Sequence, residues 1–269
     1  MAGVLFWRGP RVGVIELHGI LATREGALNL KSVAPAIDRA FGALGKGGGD
    51  VVLDINSPGG SPVQSELIGA MIRRRAEEAK ARVHAVIQDV GASGGYWLAC
   101  AADQIQASAM SVVGSIGVVG GSFGLNDFIA RYGVQRRLYT AGQNKARLDP
   151  FSPERPEDVD FAKRLMADIH ERFKDWVRTR RAGRLKGDEA KIFDGSFMLG
   201  QQALDLGLID RFGDLDALVR EIGGPRARPR VYRPARRRGL LGRLPRLVAA
   251  DVVDGALDAL EERQWRMWL

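Results

Sequence analysis

The chain of 269 residues has a single cysteine, Cys100, and only three histidines. It also has no uninterrupted apolar run of about 18 residues, the length a transmembrane helix needs. One cysteine excludes an internal disulfide and fits a reducing compartment. Cys100 lies in the apolar stretch Tyr96-Trp97-Leu98-Ala99-Cys100, where a buried filler is expected rather than a reactive thiol. No secretory signal is legible, because Arg8 interrupts the apolar start Met1 to Trp7 before an h-region has formed. These absences lead to the expectation of a cytoplasmic protein, or one peripheral on the inner face of the cell membrane.

What is present is enough for one large domain or two small ones: 45% of the residues are hydrophobic and 27% charged. The net charge of +8 suggests an anionic partner until it is located. Nine arginines and no acid fall between Arg226 and Arg246, and setting them aside takes +8 to about −1. The basicity belongs to one segment.

Upstream of that segment, short strand-like and helix-like pieces alternate. Val12 to Leu17 reads as a strand and Val33 to Leu44 as an amphipathic helix. Gly45 to Gly49 forms a turn, and Asp50 to Ile55 reads as a buried strand. A helix then starts at Ser61, with Pro62 in its first position and Gln64 completing a Ser-x-x-Gln capping box. It runs to about Lys80, and Val83 to Asp89 is the next strand. Strand, helix and strand in this order predict a parallel crossover and an α/β fold. Ile105 to Val113 is β-like, Asn126 to Tyr132 a short helix, and Val134 to Tyr139 a strand. Pro153 to Arg181 is a long helix whose stripe of Phe161, Leu165, Ile169, Phe173 and Trp176 is expected to pack in the core. Gly200 to Leu208 and Leu215 to Ile222 complete the core. Residues 225–246 are Pro/Arg-rich and expected to be irregular, and Leu247 to Trp268 can form an amphipathic helix.

Three glycine-rich segments carry candidate chemistry. Asn56-Ser57-Pro58-Gly59-Gly60 lies between a strand and a capped helix, where paired glycines let backbone N–H groups approach a ligand. An oxyanion hole needs donors fixed in this way. A tight βα turn with no ligand fits the pentapeptide equally well. Gly91-Ala92-Ser93-Gly94-Gly95-Tyr96-Trp97 again follows a strand and opens an apolar helix, which would present the Ser93 hydroxyl as a nucleophile. Taken alone, a helix N-cap is the simpler reading of that serine. A nucleophilic serine needs a base, and His18, His84 and His170 each read better as packed or solvated. Lysine can serve when burial disfavours its charged form. Lys145, in Gly142-Gln143-Asn144-Lys145, would be taken for a solvated loop residue on its chemistry alone.

Together these segments resemble the signal peptide peptidase A/SohB family of serine peptidases. Members carry a strand-end Ser-Pro-Gly-Gly, then Ala-Ser-Gly-Gly-Tyr. A segment like Val113-Gly114-Ser115-Ile116-Gly117-Val118 and a lysine in a Gly-x-x-Lys context follow, and all four occur here in order. The 52 positions from Ser93 to Lys145 are similar to the spacing in short, single-core members. Phe193-Asp194-Gly195 and Ala203-x-x-x-Gly207-Leu208-Ile209-Asp210 extend the likeness.

The resemblance implies a Clp/crotonase-like core of repeated ββα units over residues 1–224, followed by an Arg-rich segment and helix over 225–269. It implies a Ser–Lys dyad in which Ser93 attacks the scissile carbonyl, Lys145 takes its proton and Ser115 orients the lysine amine. The N–H groups of Gly60 and Gly94 would form the oxyanion hole. No metal or organic cofactor is implied. The substrates would be extended peptides with small or apolar residues near the cleaved bond, such as remnant signal peptides or membrane-protein fragments. Relatives form ring-like homo-oligomers, and some short forms complete each site with a neighbour's residues. A homo-oligomer is therefore expected here.

Two other activities use related folds. A Clp-type triad is excluded because no histidine lies between His84 and His170. A crotonase-like acyl-CoA enzyme would leave Ser93 and Lys145 without a purpose, and an inactive oligomeric scaffold would leave the dyad unexplained. The basic segment, with Trp265 and Trp268 beyond it, suits contact with an anionic membrane surface, oligomer packing or a disordered tail. Nucleic-acid binding has less support, since no recognisable module is present.

Overall fold

The computed structural model describes residues 11–45 and 47–235. Strand β1 (Arg11–His18) alternates its side chains, with Val12 and Val14 facing one side of a sheet and Ile15 and Leu17 the other. Helix α1 (Leu30–Gly42) opens on a capping box that the sequence reading did not single out. The Asn29 side chain accepts from the Ser32 N–H, and the Ser32 hydroxyl accepts from the Asn29 N–H. Strand β2 (Gly49–Ser57) holds the apolar run expected of a strand covered on both faces.

Helix α2 (Pro62–Ala79) starts where the sequence places it, with Pro62 in its first turn and Ser61 as N-cap. Only half of the predicted box forms. The Ser61 N–H is taken by the Leu21 carbonyl at 2.7 Å, which frees Gln64 Oε1 to accept the Leu30 N–H at 2.8 Å. The glutamine thus ties the start of α1 to the start of α2.

Strand β3 (Ala81–Ala92) outlasts its predicted end at Asp89, and only Ser93 separates it from α3 (Gly94–Ala99). The single β-like piece expected from Ile105 to Val113 is two strands, β4 (Gln104–Ala107) and β5 (Val112–Gly114). The break falls at Ser111, whose hydroxyl donates to the Gln88 carbonyl and accepts the Ser108 N–H. The remaining elements are α4 (Asn126–Arg131), α5 (Pro156–Arg180), α6 (Glu189–Ile192), β6 (Phe197–Leu199), α7 (Gly200–Asp205), β7 (Arg211–Phe212), α8 (Leu215–Gly223) and β8 (Arg228–Tyr232).

The strands form one sheet in the order β6-β5-β3-β2-β1-β8, with β4 beside β3 and β7 beside β4. Every pairing is parallel except β5 with β6. This is the α/β architecture expected, consistent with a Clp/crotonase-like core. The main core lies between the sheet and α1, α2, α3 and the end of α5, and a smaller one packs Val12, Val14, Val52 and Val86 against Leu218 and Val219 of α8. Because β3 pairs with β4 through residues 84–87 and with β5 through residues 90–92, the chain turns from strand to α3 at the centre of the sheet.

Three expectations need correction. Residues 134–139 belong to no strand and are exposed, and no strand among the described residues lies beside them. The apolar stripe of α5 is core only from Phe173 onward: Phe173 and Val177 are buried and Trp176 stacks on Trp97, but Leu165 is 50% exposed. The first half of that helix therefore leaves the core. Finally, the Arg-rich segment does not begin as irregular chain. Its residues 228–232 pair in parallel with β1, and the buried Tyr232 lies against Gly13. Residues 236–246 and the predicted helix from Leu247 to Trp268 lie outside the described residues.

Candidate active site

Ser93 occupies the one-residue junction between β3 and α3. Its φ of 50° and ψ of −120° are unusual for a side chain with a Cβ, and holding a residue there costs on the order of 1–3 kcal/mol. The junction is fixed from both sides. The Ser93 N–H donates to Gly114 O at 2.8 Å, and its carbonyl accepts the Trp97 N–H at 3.0 Å. Its side chain makes no capping hydrogen bond, although the residue stands in the N-cap position. The structure thus removes the simpler reading of this serine.

The glycines explain how β2 and α3 come so close. A Cβ on Gly59, whose φ is 103°, would lie 2.6 Å from the Gly94 nitrogen and 2.7 Å from Ser93 Cβ. A Cβ on Gly95 would lie 2.2 Å from the Ser57 carbonyl oxygen. Hydrogen side chains at these points let the Gly59-Gly60 turn lie directly beside the start of α3. No described residue accepts a hydrogen bond from the N–H of Gly60 or of Gly94.

Ser115 follows β5 with φ 51°, its N–H donated to Ser196 O at 2.8 Å. Ser93, Ser115, Gly59 and Gly60 line one cleft of about 990 Å³, together with His170 and Asp194. Ile20, Val112, Val118, Phe197 and Leu199 supply apolar walls. Asp194 stays ionised, since the Ser196 N–H bound to it holds its carboxyl below the usual carboxylate range.

Of the residues singled out in the sequence, Ser93, Ser115, Gly60 and Gly94 thus converge. Lys145 does not join them: it is exposed, in a turn after Gly142, and is not part of the cleft wall. His170, set aside in the sequence as packed or solvated, and Asp194, quoted there only within Phe193-Asp194-Gly195, line the cleft although neither was assigned to the site. For His170 a signal existed, because it shares a helical face with Phe173 and Val177 at spacings of three and seven. The other two histidines are paired with acids, His84 with Asp50 at 2.7 Å and His18 with Asp54 at 3.1 Å. The Asp54 hydrogen bond raises His18 above the usual histidine range. By strand alternation both histidines lie on the α8 side of the sheet. Cys100 is buried, and burial pushes its thiol up to about 12, so no thiolate competes with Ser93.

The far end of α3 is held by arginines. Arg180 donates to the Cys100 and Ala102 carbonyls, Arg73 to Ala101 O and Arg184 to Asp103 O. Arg181, with 1% of its side chain exposed, bonds Gly207 O and both oxygens of Asp210, each of these to Asp210 at 2.9 Å. Burial would raise the Asp210 carboxyl, but the Arg181 hydrogen bonds, the Ile105 N–H and the Arg181 and Arg184 charges together keep Asp210 below the usual range. Asp210 also accepts the Ile105 N–H, and Tyr96 of α3 donates to Leu208 O. No cluster of three or more His, Cys, Asp or Glu able to hold a metal lies among the described residues.

A sequence model of peptidase family S49 matches residues 75–224, which include Ser93, Ser115 and Lys145. A Synechocystis protein carried as a candidate protease is 31% identical over 205 residues, covering 76% of this chain and 70% of that protein. The Arabidopsis thaliana protein named serine protease SPPA, chloroplastic, is 30% identical over 62% of this chain and 24% of its own length. A Brucella abortus protein named Na(+)/H(+) antiporter NhaA is 42% identical over 94% of this chain. That match covers 36% of the Brucella protein, so the chain spans about a third of that relative's length. Among the described residues no helix is long and apolar enough to cross a membrane.

Proposed function

Since the chain belongs to peptidase family S49, we propose that it is a serine endopeptidase whose nucleophile is Ser93 and whose base is Lys145. The observation that carries this reading is the Ser93 junction: a strained serine with an uncommitted hydroxyl, opening on a cleft beside two glycine N–H groups. In the proposed reaction Ser93 Oγ attacks the scissile carbonyl carbon as its proton passes to Lys145 Nζ. The N–H groups of Gly60 and Gly94 hold the oxyanion. Collapse breaks the C–N bond, Lys145 returns the proton to the leaving amine, and an ester on Ser93 remains. Water then attacks the ester with Lys145 again taking the proton, and the second collapse frees Ser93. Ser115 orients the lysine amine. No metal or cofactor enters the scheme.

We assign Lys145 to the cleft of a neighbouring copy in a homo-oligomer. Lys145 is exposed in its own chain. The segment that carries it also exposes Phe123, Phe128, Tyr132 and Tyr139, each by 60% or more. An apolar surface of that kind on one arm calls for a partner, and burial against the next subunit would disfavour the charged amine, as a base requires. The apolar cleft walls suit extended peptides with small or apolar side chains, such as remnant signal peptides or membrane-protein fragments. Hydrolysis of such peptides by wild type, Ser93→Ala and Lys145→Ala tests the dyad across pH. Both variants are expected to lose about 10³-fold or more, and wild-type activity is expected to rise toward alkaline pH. Undiminished turnover in either variant overturns the assignment.

We also propose peripheral contact with an anionic membrane surface, on the cytoplasmic side. Arg226, Arg228, Arg230 and Arg233 are exposed on and beside the edge strand β8, and five more arginines follow. A chain ending at Ala235 keeps β8, whereas one ending at Gly224 would lose it. Co-sedimentation with vesicles containing phosphatidylserine is expected to be strong for the full chain, weak for the chain ending at Ala235, and reduced by salt. Failure of the full chain to sediment with these vesicles, or sedimentation insensitive to salt, would remove the proposal.

A further inference from the structure

His170 lines the cleft but has no part in the proposed reaction. It projects from α5 on the face that also carries Met166, Phe173 and Val177. Phe173 and Val177 are buried in the main core, and the Met166 sulfur lies 3.1 Å from where a Cβ on Gly120 would be. The histidine therefore stands on a well-anchored part of the helix, just where it leaves the core. Its Nε2 lies 2.8 Å from the Ile116 carbonyl oxygen. A carbonyl can only accept, so Nε2 carries the hydrogen, and in the neutral ring Nδ1 is the acceptor.

Ile116 directly follows Ser115, and Ser115 adopts φ 51°, a region that a serine enters only when its surroundings hold it there. Three ties do so. The Ser115 N–H donates to Ser196 O at 2.8 Å, the Ser115 carbonyl accepts the Gly117 N–H at 3.0 Å, and the Ile116 carbonyl accepts from His170. The first two are made by backbone alone, so His170 is the side-chain member of the set. From this geometry we infer that His170 is a positioning residue: by fixing the Ile116 carbonyl it sets the direction of the Ser115 hydroxyl, and through it the base lysine. The inference rests on the Ser93–Lys145 reading, in which Ser115 orients Lys145. Charged groups near this histidine include Asp194 across the cleft and, on α5, Glu171 beside it with its partner Lys174; the 112–118 segment carries none.

The test is the rate at which a fluorophosphonate labels Ser93 as a function of pH, in variants that leave Asp194 and Glu171 in place. His170→Phe is expected to slow labelling about 10²-fold, the usual consequence of a small misplacement, and to move its rise with pH to more alkaline values, as Ser115→Ala does. His170→Gln, whose amide N–H can donate to the same carbonyl, is expected to stay near the wild-type rate and profile. In a Ser115→Ala background, His170→Phe is expected to add nothing, because the hydroxyl it directs is already gone. A general loosening of the fold would slow both backgrounds alike. Wild-type labelling in His170→Phe, or an additive loss in the double variant, overturns the inference while leaving the dyad untouched. Should the Phe variant fail to fold, His170→Gln decides instead: an impaired rate in a protein with the wild-type melting temperature refutes the role of the donor. Labelling of Lys145→Ala at the wild-type rate would refute the dyad itself, which is a separate outcome.

Discussion

Mixed in equal amounts, dissociated and reassembled, the Ser93→Ala and Lys145→Ala proteins are expected to recover activity that neither has alone. A site built from the serine of one subunit and the lysine of the next is intact only when a Lys145→Ala subunit precedes a Ser93→Ala subunit. Random assembly around a head-to-tail ring gives that order at one half times one half of the positions, so about a quarter of wild-type turnover returns. If each cleft were completed by its own Lys145, both kinds of site would stay broken and mixing would restore nothing. Peptide hydrolysis by the mixture, compared with each variant alone at the same total concentration, reads the answer. The exposure of Lys145 and its absence from the cleft wall of its own chain are what make recovery the expected result.

Replacing Arg181 by alanine is expected to cost more stability than any exposed substitution. The guanidinium is 1% exposed and satisfies Gly207 O and both Asp210 oxygens. Its loss leaves the half-buried Asp210 carboxylate with only the Ile105 N–H and the longer Arg184 contact, and takes both side-chain donors from the buried Gly207 carbonyl. Breaking such a pair from one side costs about 3–5 kcal/mol, which for a domain of this size lowers Tm by roughly 10 °C or more. Lysine is not expected to rescue the site, since it lacks the planar fork that meets both partners at once. The acid limb carries its own signature. Asp210 is held below its ordinary value of 3.8, so the stability it contributes is present above that pH and is lost as pH falls through the lower folded-state value. The gap in Tm between wild type and Arg181→Ala is therefore expected to narrow in strong acid. Thermal unfolding followed by circular dichroism at neutral pH and below pH 3.8 checks both points. An unchanged Tm at neutral pH would show that the pair stabilises nothing.

What could be read from the sequence was what local chemistry determines. Ser61 and Pro62 mark the start of α2 because capping and proline geometry act within one turn. The glycines around Ser93 mark the junction because only they tolerate that approach of two backbones. What depended on partners far along the chain was not legible. The Phe161–Leu165–Ile169 stripe has the period of a buried helix, but period says that a face is apolar and not what covers it. Residues 134–139 have strand-like composition, yet composition does not supply a neighbouring strand. The pairs His84–Asp50 and His18–Asp54 join adjacent strands, and only the register of the sheet brings them within reach. Gln64 shows the same limit on a helix: its partner is Leu30, 34 residues away, rather than the cap beside it. Lys145 entered the reading through the ordered set of motifs alone, and the single chain leaves it outside the cleft that Ser93 lines.

Strand β8 has a bearing on solubility as well as on the fold. Without it, β1 would present an open row of peptide groups flanked by Val12, Val14, Ile15 and Leu17, a ready template for intermolecular strand addition. With it, the sheet of the described residues ends on a strand in which Pro229 has no N–H to offer and Arg228 and Arg230 are exposed. A second molecule approaching that edge meets like charge and a missing donor. The arginine-rich stretch therefore begins as a guard against aggregation, built into the sheet before the chain continues past Ala235.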